Sequence, residues 1–277
     1  MATSDGTKMP RTSWEKLAEY RMQIPPIGNQ RAIADYLDRE TARIDALTEK
    51  KGQIMGLLEE RTRVLIDDMT HASRVGRVRN VTSLCTSGPR GWADRVGSEG
   101  SPFIRSANLK RDSINLSYDD LAHVIPPDSH EARRSEVEPG DVLVGITGAN
   151  TGWIGRVDHR FAGGYVSQHV AILRPAGIEP DWLAYSLFSP RVQDQLLGGQ
   201  YGGTKQQLGL DDLLELRIGL PQVEDQRIRV ARMDAARQIL EGLSDRLTRQ
   251  VEALKERRQA FITAAVTSEL EIPEVAA

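Results

Sequence analysis

The loop Ser87-Gly88-Pro89-Arg90-Gly91-Trp92 sets a guanidinium and an indole on a backbone loosened by glycine and turned by proline. Arginine is the side chain best matched to the paired acceptors of guanine in the major groove, and tryptophan packs on a sugar or an exposed base. Arg90 and Trp92 are therefore candidate DNA contacts; the alternative is a plain surface turn over a partly buried indole. The stretch Arg105-Ser106-Ala107-Asn108-Leu109-Lys110-Arg111 adds Arg105, Lys110 and Arg111 as cations suited to phosphates and Asn108 as an adenine reader. A salt-bridged, solvated loop is its plain alternative. Gln168 and His169 carry an amide and an imidazole that can meet base edges, although a lone histidine is more often a hydrogen-bonded structural residue. In the polar loop Gln200 to Gln207, Tyr201 and Thr204 accompany Lys205, which suits a phosphate, and Gln206, which can read adenine. Anchoring the domain is the rival role for that loop. Gly148-Ala149-Asn150-Thr151-Gly152 has the composition of a phosphate nest, but it reads better as a turn between two strands.

Residues for catalysis are missing. A DNA adenine methyltransferase needs Asn or Asp, two prolines and an aromatic residue in sequence; Ile125-Pro126-Pro127-Asp128 lacks both the amide and the ring. No Gly-x-x-x-x-Gly-Lys-Ser/Thr loop is present to hold ATP. The five histidines are scattered without metal spacing, and the glycines between Gly145 and Gly155 are not set in alternating parallel strands and helices. The expectation is a non-catalytic chain that binds no cofactor or metal of its own.

A chain of 277 residues holds one large domain or two ordinary ones. A net charge of −3 argues against coating nucleic acid by charge alone, and one cysteine, Cys85, leaves no disulfide framework. With no long apolar run and a polar N-terminus, the sequence predicts a soluble, cytoplasmic protein without membrane association. Charge is uneven along the chain. Residues 74–111 carry eight basic against two acidic side chains, and residues 112–141 carry eight acidic against two basic. Folding that separates these segments would leave a basic face for phosphates.

What must position these loops is a repeat. Adding 196 to each number carries Gln30-Arg31 onto Gln226-Arg227, Asp38 onto Asp234, Leu47 onto Leu243, Leu58 onto Leu254 and Ile66 onto Ile262 without a gap. The match extends back through Pro25 and Pro221. Each copy has an apolar stripe in alternating steps of three and four. The first is Leu37, Ile44, Leu47, Ile54, Leu58 and Leu65, with Glu40, Lys51 and Arg61 as polar members. The second is Met233, Ala236, Leu240, Leu243, Leu247, Leu254 and Phe261, interrupted by Gln250 and Arg257. A stripe this narrow is the seam of a coiled coil, and no proline interrupts either run. At roughly 1.5 Å per residue, forty residues reach on the order of 60 Å, so each helix needs a partner, and the other copy is the simplest one. Two surface helices packed separately on a globular body are the alternative.

The predicted fold is α+β: one mixed α/β domain plus two long helices forming an antiparallel coiled coil. The boundaries are a disordered N-terminus (1–13), the remnant end of a preceding domain (14–29), a first long helix (30–71), the domain (72–222), a second long helix (223–268) and a tail (269–277). Within the domain, short strands are expected at Phe103–Arg105, Asp141–Thr147, Trp153–Val157, Tyr165–Val166, His169–Arg174 and Leu216–Leu220, with one helix from Pro180 to Leu197.

The segment from Ile24-Pro25-Pro26-Ile27 through Gln30-Arg31 to Ile44-Asp45 resembles the helical region of type I restriction-modification DNA specificity subunits. Pro102-Phe103-Ile104-Arg105, Pro139-Gly140-Asp141-Val142-Leu143, Ser167-Gln168-His169 and Gly202-Gly203-Thr204-Lys205-Gln206 resemble landmarks of that family's target recognition domains. The resemblance implies a bipartite reader of double-stranded DNA in which paired helices space two recognition domains. It places methylation, with S-adenosylmethionine, on separate modification subunits and ATP- and Mg-dependent cleavage on a restriction or motor subunit. This chain has two helices but one recognition domain. It therefore looks like a half-length member, or the second half of a split or truncated one, that homodimerises or pairs with another half chain. The rival function is a coiled-coil interaction protein whose globular domain binds protein or a small ligand.

Overall fold

The computed structural model describes residues 4–5, 11–12, 14–19, 24–198 and 207–267. In chain order these form strands β1 (Ser4–Asp5) and β2 (Arg11–Thr12), helices α1 (Trp14–Ala18) and α2 (Ile27–Thr70), and strands β3 (Val75–Arg77), β4 (Thr82–Ser87), β5 (Val96–Gly97), β6 (Ser101–Ile104) and β7 (Ala122–Val124). Helix α3 (His130–Ser135), strands β8 (Val142–Gly145), β9 (Ile154–Arg156), β10 (Tyr165–Val166) and β11 (Val170–Pro175), helices α4 (Pro180–Phe188), α5 (Pro190–Gly198) and α6 (Leu210–Glu215), strand β12 (Arg217–Gly219) and helix α7 (Val223–Val266) follow. The N-terminal segment, expected to be disordered, contains a local antiparallel pair in which Ser4 faces Thr12 and Asp5 faces Arg11. So short a ladder needs only backbone groups, which composition does not report.

The chain divides into two units, one of Met1–Gln53 with Leu247–Ala277 and one of Ile54–Arg246. In the first, Asp45 accepts from Arg258 at 3.0 Å and Lys51 donates to Gln250 at 2.6 Å. Moving up one helix moves down the other, so the pair is antiparallel. In the second, Arg229 of α7 donates to the carbonyls of Met69 and His71 at the end of α2.

The least exposed stripe of each helix corrects the predicted seam. On α2 the half-buried or buried residues Leu37, Thr41, Ile44, Thr48, Lys51, Met55, Leu58, Thr62, Leu65 and Met69 follow an unbroken alternation of four and three. On α7 the half-buried or buried residues Val230, Met233, Arg237, Leu240, Ser244, Leu247, Val251, Leu254, Arg258, Phe261 and Ala265 do the same. Nine of the thirteen predicted apolar residues are in the seam, but Leu47, Ile54 and Leu243 are 42, 46 and 40 % exposed and Ala236 lies one position before the seam residue Arg237. Choosing the apolar residue at every second step shifted that step one position early. The real occupants include threonines, which can be buried because each hydroxyl donates to the carbonyl four residues back: Thr41 to Leu37, Thr48 to Ile44, Thr62 to Leu58.

The central sheet of the second unit has the order β4-β11-β8-β9, antiparallel throughout. Both of its faces are apolar. Val142, Val144, Ala171 and Leu173 pack with Trp182, Leu183, Leu187, Leu213 and the helix residues Ile66, Val230 and Met233. Leu143, Val170 and Ile172 face Ile104, Leu109, Leu116, Phe161 and Val166. Strands β8 and β11 therefore read as continuous hydrophobic runs rather than alternating ones. Because Ile66, Val230 and Met233 lie in this core, the compact unit extends past the predicted 72–222 into both helices. A second sheet, β10-β6-β7-β5, carries a smaller cluster of Trp92, Phe103, Val124 and Tyr165.

One predicted helix is two. Ser189 is extended at φ −64 and ψ 143, and α5 starts at Pro190. Proline disfavours the helical region for the residue before it and cannot donate to the preceding turn, so the chain breaks there and restarts.

Candidate nucleic-acid interface

Antiparallel pairing decides which loops meet. Ser87 is opposite Ala171, Val170 opposite Gly145, and Val144 opposite Ile154. The end of β4, the start of β11, the end of β8 and the start of β9 thus share one end of the central sheet. The loops attached there contain Arg90, Gln168 and His169, and the turn from Ile146 to Trp153.

Close packing fixes this rim. A Cβ on Gly88 would lie 1.9 Å from the Val166 carbonyl oxygen, so only glycine lets the Arg90 loop pack against the segment that carries Gln168. Arg90 itself is exposed and has no partner among the described residues. His169 is exposed between two neighbours, Thr147 at Nδ1 and Gln168 at Nε2, the latter at 3.1 Å. If the Gln168 amide donates to Nε2, then Nδ1 carries the hydrogen and donates to the Thr147 hydroxyl oxygen. The cluster then holds a defined tautomer and presents an exposed imidazole and amide beside a half-buried hydroxyl.

The turn is built by Gly148 and Gly152, at φ +84 and +83, with the Thr151 hydroxyl donating to the Gly148 carbonyl at 2.7 Å. Asn150 donates to the Ser106 carbonyl at 2.7 Å, which ties this turn to the segment bearing Lys110 and Arg111. Both of those cations are exposed and unpaired among the described residues. Thr147 is bridged to Gln207, and Leu208 donates to the Ile146 carbonyl, so the chain rejoins the rim there. Tyr201, Thr204, Lys205 and Gln206 lie outside the described residues.

Three predicted contacts are placed elsewhere. Trp92 is only 6 % exposed and packs between Phe103 and Tyr165 at centroid distances of 6.3 and 5.6 Å. Its ring area is worth more in that core than at a turn. Asn108 is fully buried; its oxygen accepts from the Arg105 amide and its nitrogen donates to the Ser117 and Asp119 carbonyls, so the group has nothing left for a base. Arg105 donates to the Asp120 carbonyl at 2.6 Å and is half-buried. All three serve the loop's framework. Thr147 was missed because it stood at the end of a predicted strand, where a threonine gives no signal of its own.

Burial, with help from the Asp211 carboxylate, pushes the Cys85 thiol up to about 11, which favours its protonated form. No group of His, Cys, Asp and Glu among the described residues is arranged to hold a metal.

The domain is fastened to α7 by polar groups. Tyr185 donates to Asp234 at 2.6 Å, and buried Arg237 donates to the Tyr185 oxygen at 3.2 Å and to Ser113 and Glu241 at 3.1 and 3.0 Å. Gln226, 2 % exposed, accepts from the Glu179 amide at 2.9 Å and donates to the Pro221 carbonyl at 2.8 Å. Its repeat mate Gln30 makes the same bond to the Pro25 carbonyl at 2.8 Å.

A curated relative, the type I restriction enzyme EcoBI specificity subunit of Escherichia coli, is 21 % identical over 304 aligned positions, covering 97 % of this chain. A structure described as the basis of complex assembly and conformational transition of the type I R-M system superposes with a TM-score of 0.76 at 20 % identity, over 96 % of this chain and 66 % of that one. The chain resembles type I restriction-modification specificity subunits in sequence and in fold. The HsdS subunit from Thermoanaerobacter tengcongensis gives a TM-score of 0.55 at 20 % identity, over 96 % of this chain and 65 % of that subunit. No family model matches. The chain spans 62 % of the length of the EcoBI specificity subunit. No helix among the described residues is long and apolar enough to cross a membrane.

Proposed function

We propose that this chain is a non-catalytic DNA-recognition subunit of a type I restriction-modification complex. Its α/β domain reads one half of a split target through the rim of the central sheet. The paired helices act as the spacer and dock modification subunits, which carry S-adenosylmethionine; a motor subunit with ATP and Mg supplies cleavage. A second copy, or another half chain, provides the other reader.

The supporting observation is the convergence of exposed Arg90, Gln168 and His169 and half-buried Thr147 on one sheet end rich in donors and acceptors, with Lys110 and Arg111 on the adjoining loop. Base edges need such groups for discrimination and phosphates need the cations. The near-neutral charge fits a chain that binds DNA weakly alone and relies on partner subunits for much of the clamp.

The test is selection from a random duplex pool by the full chain, with and without modification subunits, followed by methylome sequencing of the source strain and of a deletion. The expected outcome is one bipartite motif recovered by selection and lost from the methylome on deletion. Sequence-blind retention of the pool together with an unchanged methylome would overturn the reading. Light scattering of the chain with its modification subunits reads the second-copy arrangement separately.

A further inference from the structure

Arg63 on α2 and Arg111 on the loop after β6 line the same cavity of about 430 Å³. Its other walls are the turn Ala149, Thr151 and Gly152, the half-buried rings of Trp153 and Phe188, and the start of α5. Neither guanidinium has an ion pair or hydrogen bond among the described residues, and Asp194 is the one carboxylate on the lining. Two cations from separate elements thus line one space against a single carboxylate, and Arg63 also borders a neighbouring cavity with Glu59, Asp112 and Glu241. The Gln193 amide is already committed, donating to the Gly152 and Leu187 carbonyls, so it holds the wall rather than the occupant.

The occupant that fits has spaced negative charge and apolar faces between the charges. A phosphodiester strand does: guanidinium groups take phosphate oxygens in pairs, and sugar rings lie against aromatic walls. The cavity is also continuous with the rim, because Ala149 and Thr151 belong to both.

We propose that the backbone of bound DNA passes from the rim into this cavity, where Arg63 and Arg111 hold its phosphates. The long helix then contacts DNA directly as well as setting a distance. This rests on the DNA-reading function above and adds to it a phosphate site on the spacer helix.

The experiment uses the full chain with its modification subunits and the duplex selected from the random pool, titrated over a salt series. Arg63→Gln and Arg111→Ala are each expected to reduce the slope of log affinity against log salt by about one, because each removes one phosphate contact. Selected and scrambled duplexes should weaken by the same factor, while Arg63→Lys keeps most of the slope. Arg111 is exposed, so Arg111→Ala leaves the fold intact and keeps the test valid should Arg63→Gln perturb the helix. Selective binding with an unchanged slope in both variants would overturn the proposal and leave the DNA-reading function standing. Loss of modification-subunit binding with an unchanged slope would also overturn it, since the cavity would then take an acidic protein segment. Absence of selective binding by the unaltered complex would instead strike the function itself.

Discussion

The Tyr185 hydroxyl donates to the Asp234 carboxylate at 2.6 Å and accepts from buried Arg237, so one phenol on α4 satisfies both a negative and a positive group on α7. Burial, and after it the hydrogen bond to Asp234, holds the Tyr185 hydroxyl protonated well beyond its usual range. Removing it by Tyr185→Phe leaves an Asp234 oxygen and an Arg237 N–H without that partner in a largely dry contact. The expected loss is about 1–3 kcal/mol of unfolding free energy, measured by urea denaturation. A double-mutant cycle with Asp234→Asn should give a coupling above about 0.5 kcal/mol; additive losses would show that the two groups do not act together.

Asp181 gives a dependence on pH. Burial raises its pKa above the ordinary 3.8; Arg156, its ion-pair partner, opposes this, and Asp234 and Glu179 add to it. A carboxyl that titrates higher when folded holds its proton longer in the native state than in the unfolded one. Its contribution therefore falls as pH rises from about the unfolded value through the folded one, then stays level. Asp181→Asn should remove that fall. Unfolding free energies of both proteins, measured from below the ordinary carboxylate range up to neutral pH, should diverge in favour of the variant as pH rises; parallel curves would contradict the assignment.

Trp92 and Arg90 stand two residues apart and should behave as opposites. Trp92→Ala empties a core position between Phe103 and Tyr165 and is expected to cost about 3–5 kcal/mol of stability. Arg90→Ala, on an exposed side chain, should leave the thermal midpoint within about a degree or two while costing about 1–3 kcal/mol of discrimination at one base pair. Thermal unfolding and selection from the duplex pool separate the two effects. A Trp92→Ala protein of unchanged stability would return the indole to the list of DNA contacts.

Much of this was legible in the sequence for a physical reason. A repeat offset by 196 survives because both copies fold into the same helix, and Gln30 and Gln226 make the same bond to a proline carbonyl five residues back. Strands β8 and β11 of the central sheet were visible as apolar runs because both faces are buried, whereas β4, Thr-Ser-Leu-Cys-Thr-Ser, gave no such run and was not expected. What composition could not convey was partnership. Asn108 reads as a base-seeking amide until three backbone groups are found around it, and Thr147 reads as nothing until antiparallel pairing sets it beside His169. The break at Ser189 was in principle readable from Pro190 alone, but the apolar spacing across it from Leu187 to Val192 and Leu196 outweighed the proline.

The seam makes the sharpest test of that difference. Ile44 is 4 % exposed and Leu47, three residues on, is 42 % exposed. Both would be core positions in the frame drawn from apolar residues alone, whereas the alternation through Thr41, Ile44, Thr48 and Lys51 places only Ile44 inside. Ile44→Ala should then cost about 2–5 kcal/mol, while Leu47→Ala should cost well under half of that because its side chain leaves little cavity behind. Thr48→Lys should be worse than Leu47→Lys, since it takes a hydroxyl already bonded to the Ile44 carbonyl out of the contact and puts a charge in its place. Circular dichroism melts of the four variants read the outcome directly. Equal losses at positions 44 and 47 would restore the apolar frame and remove the threonines from the helix contact.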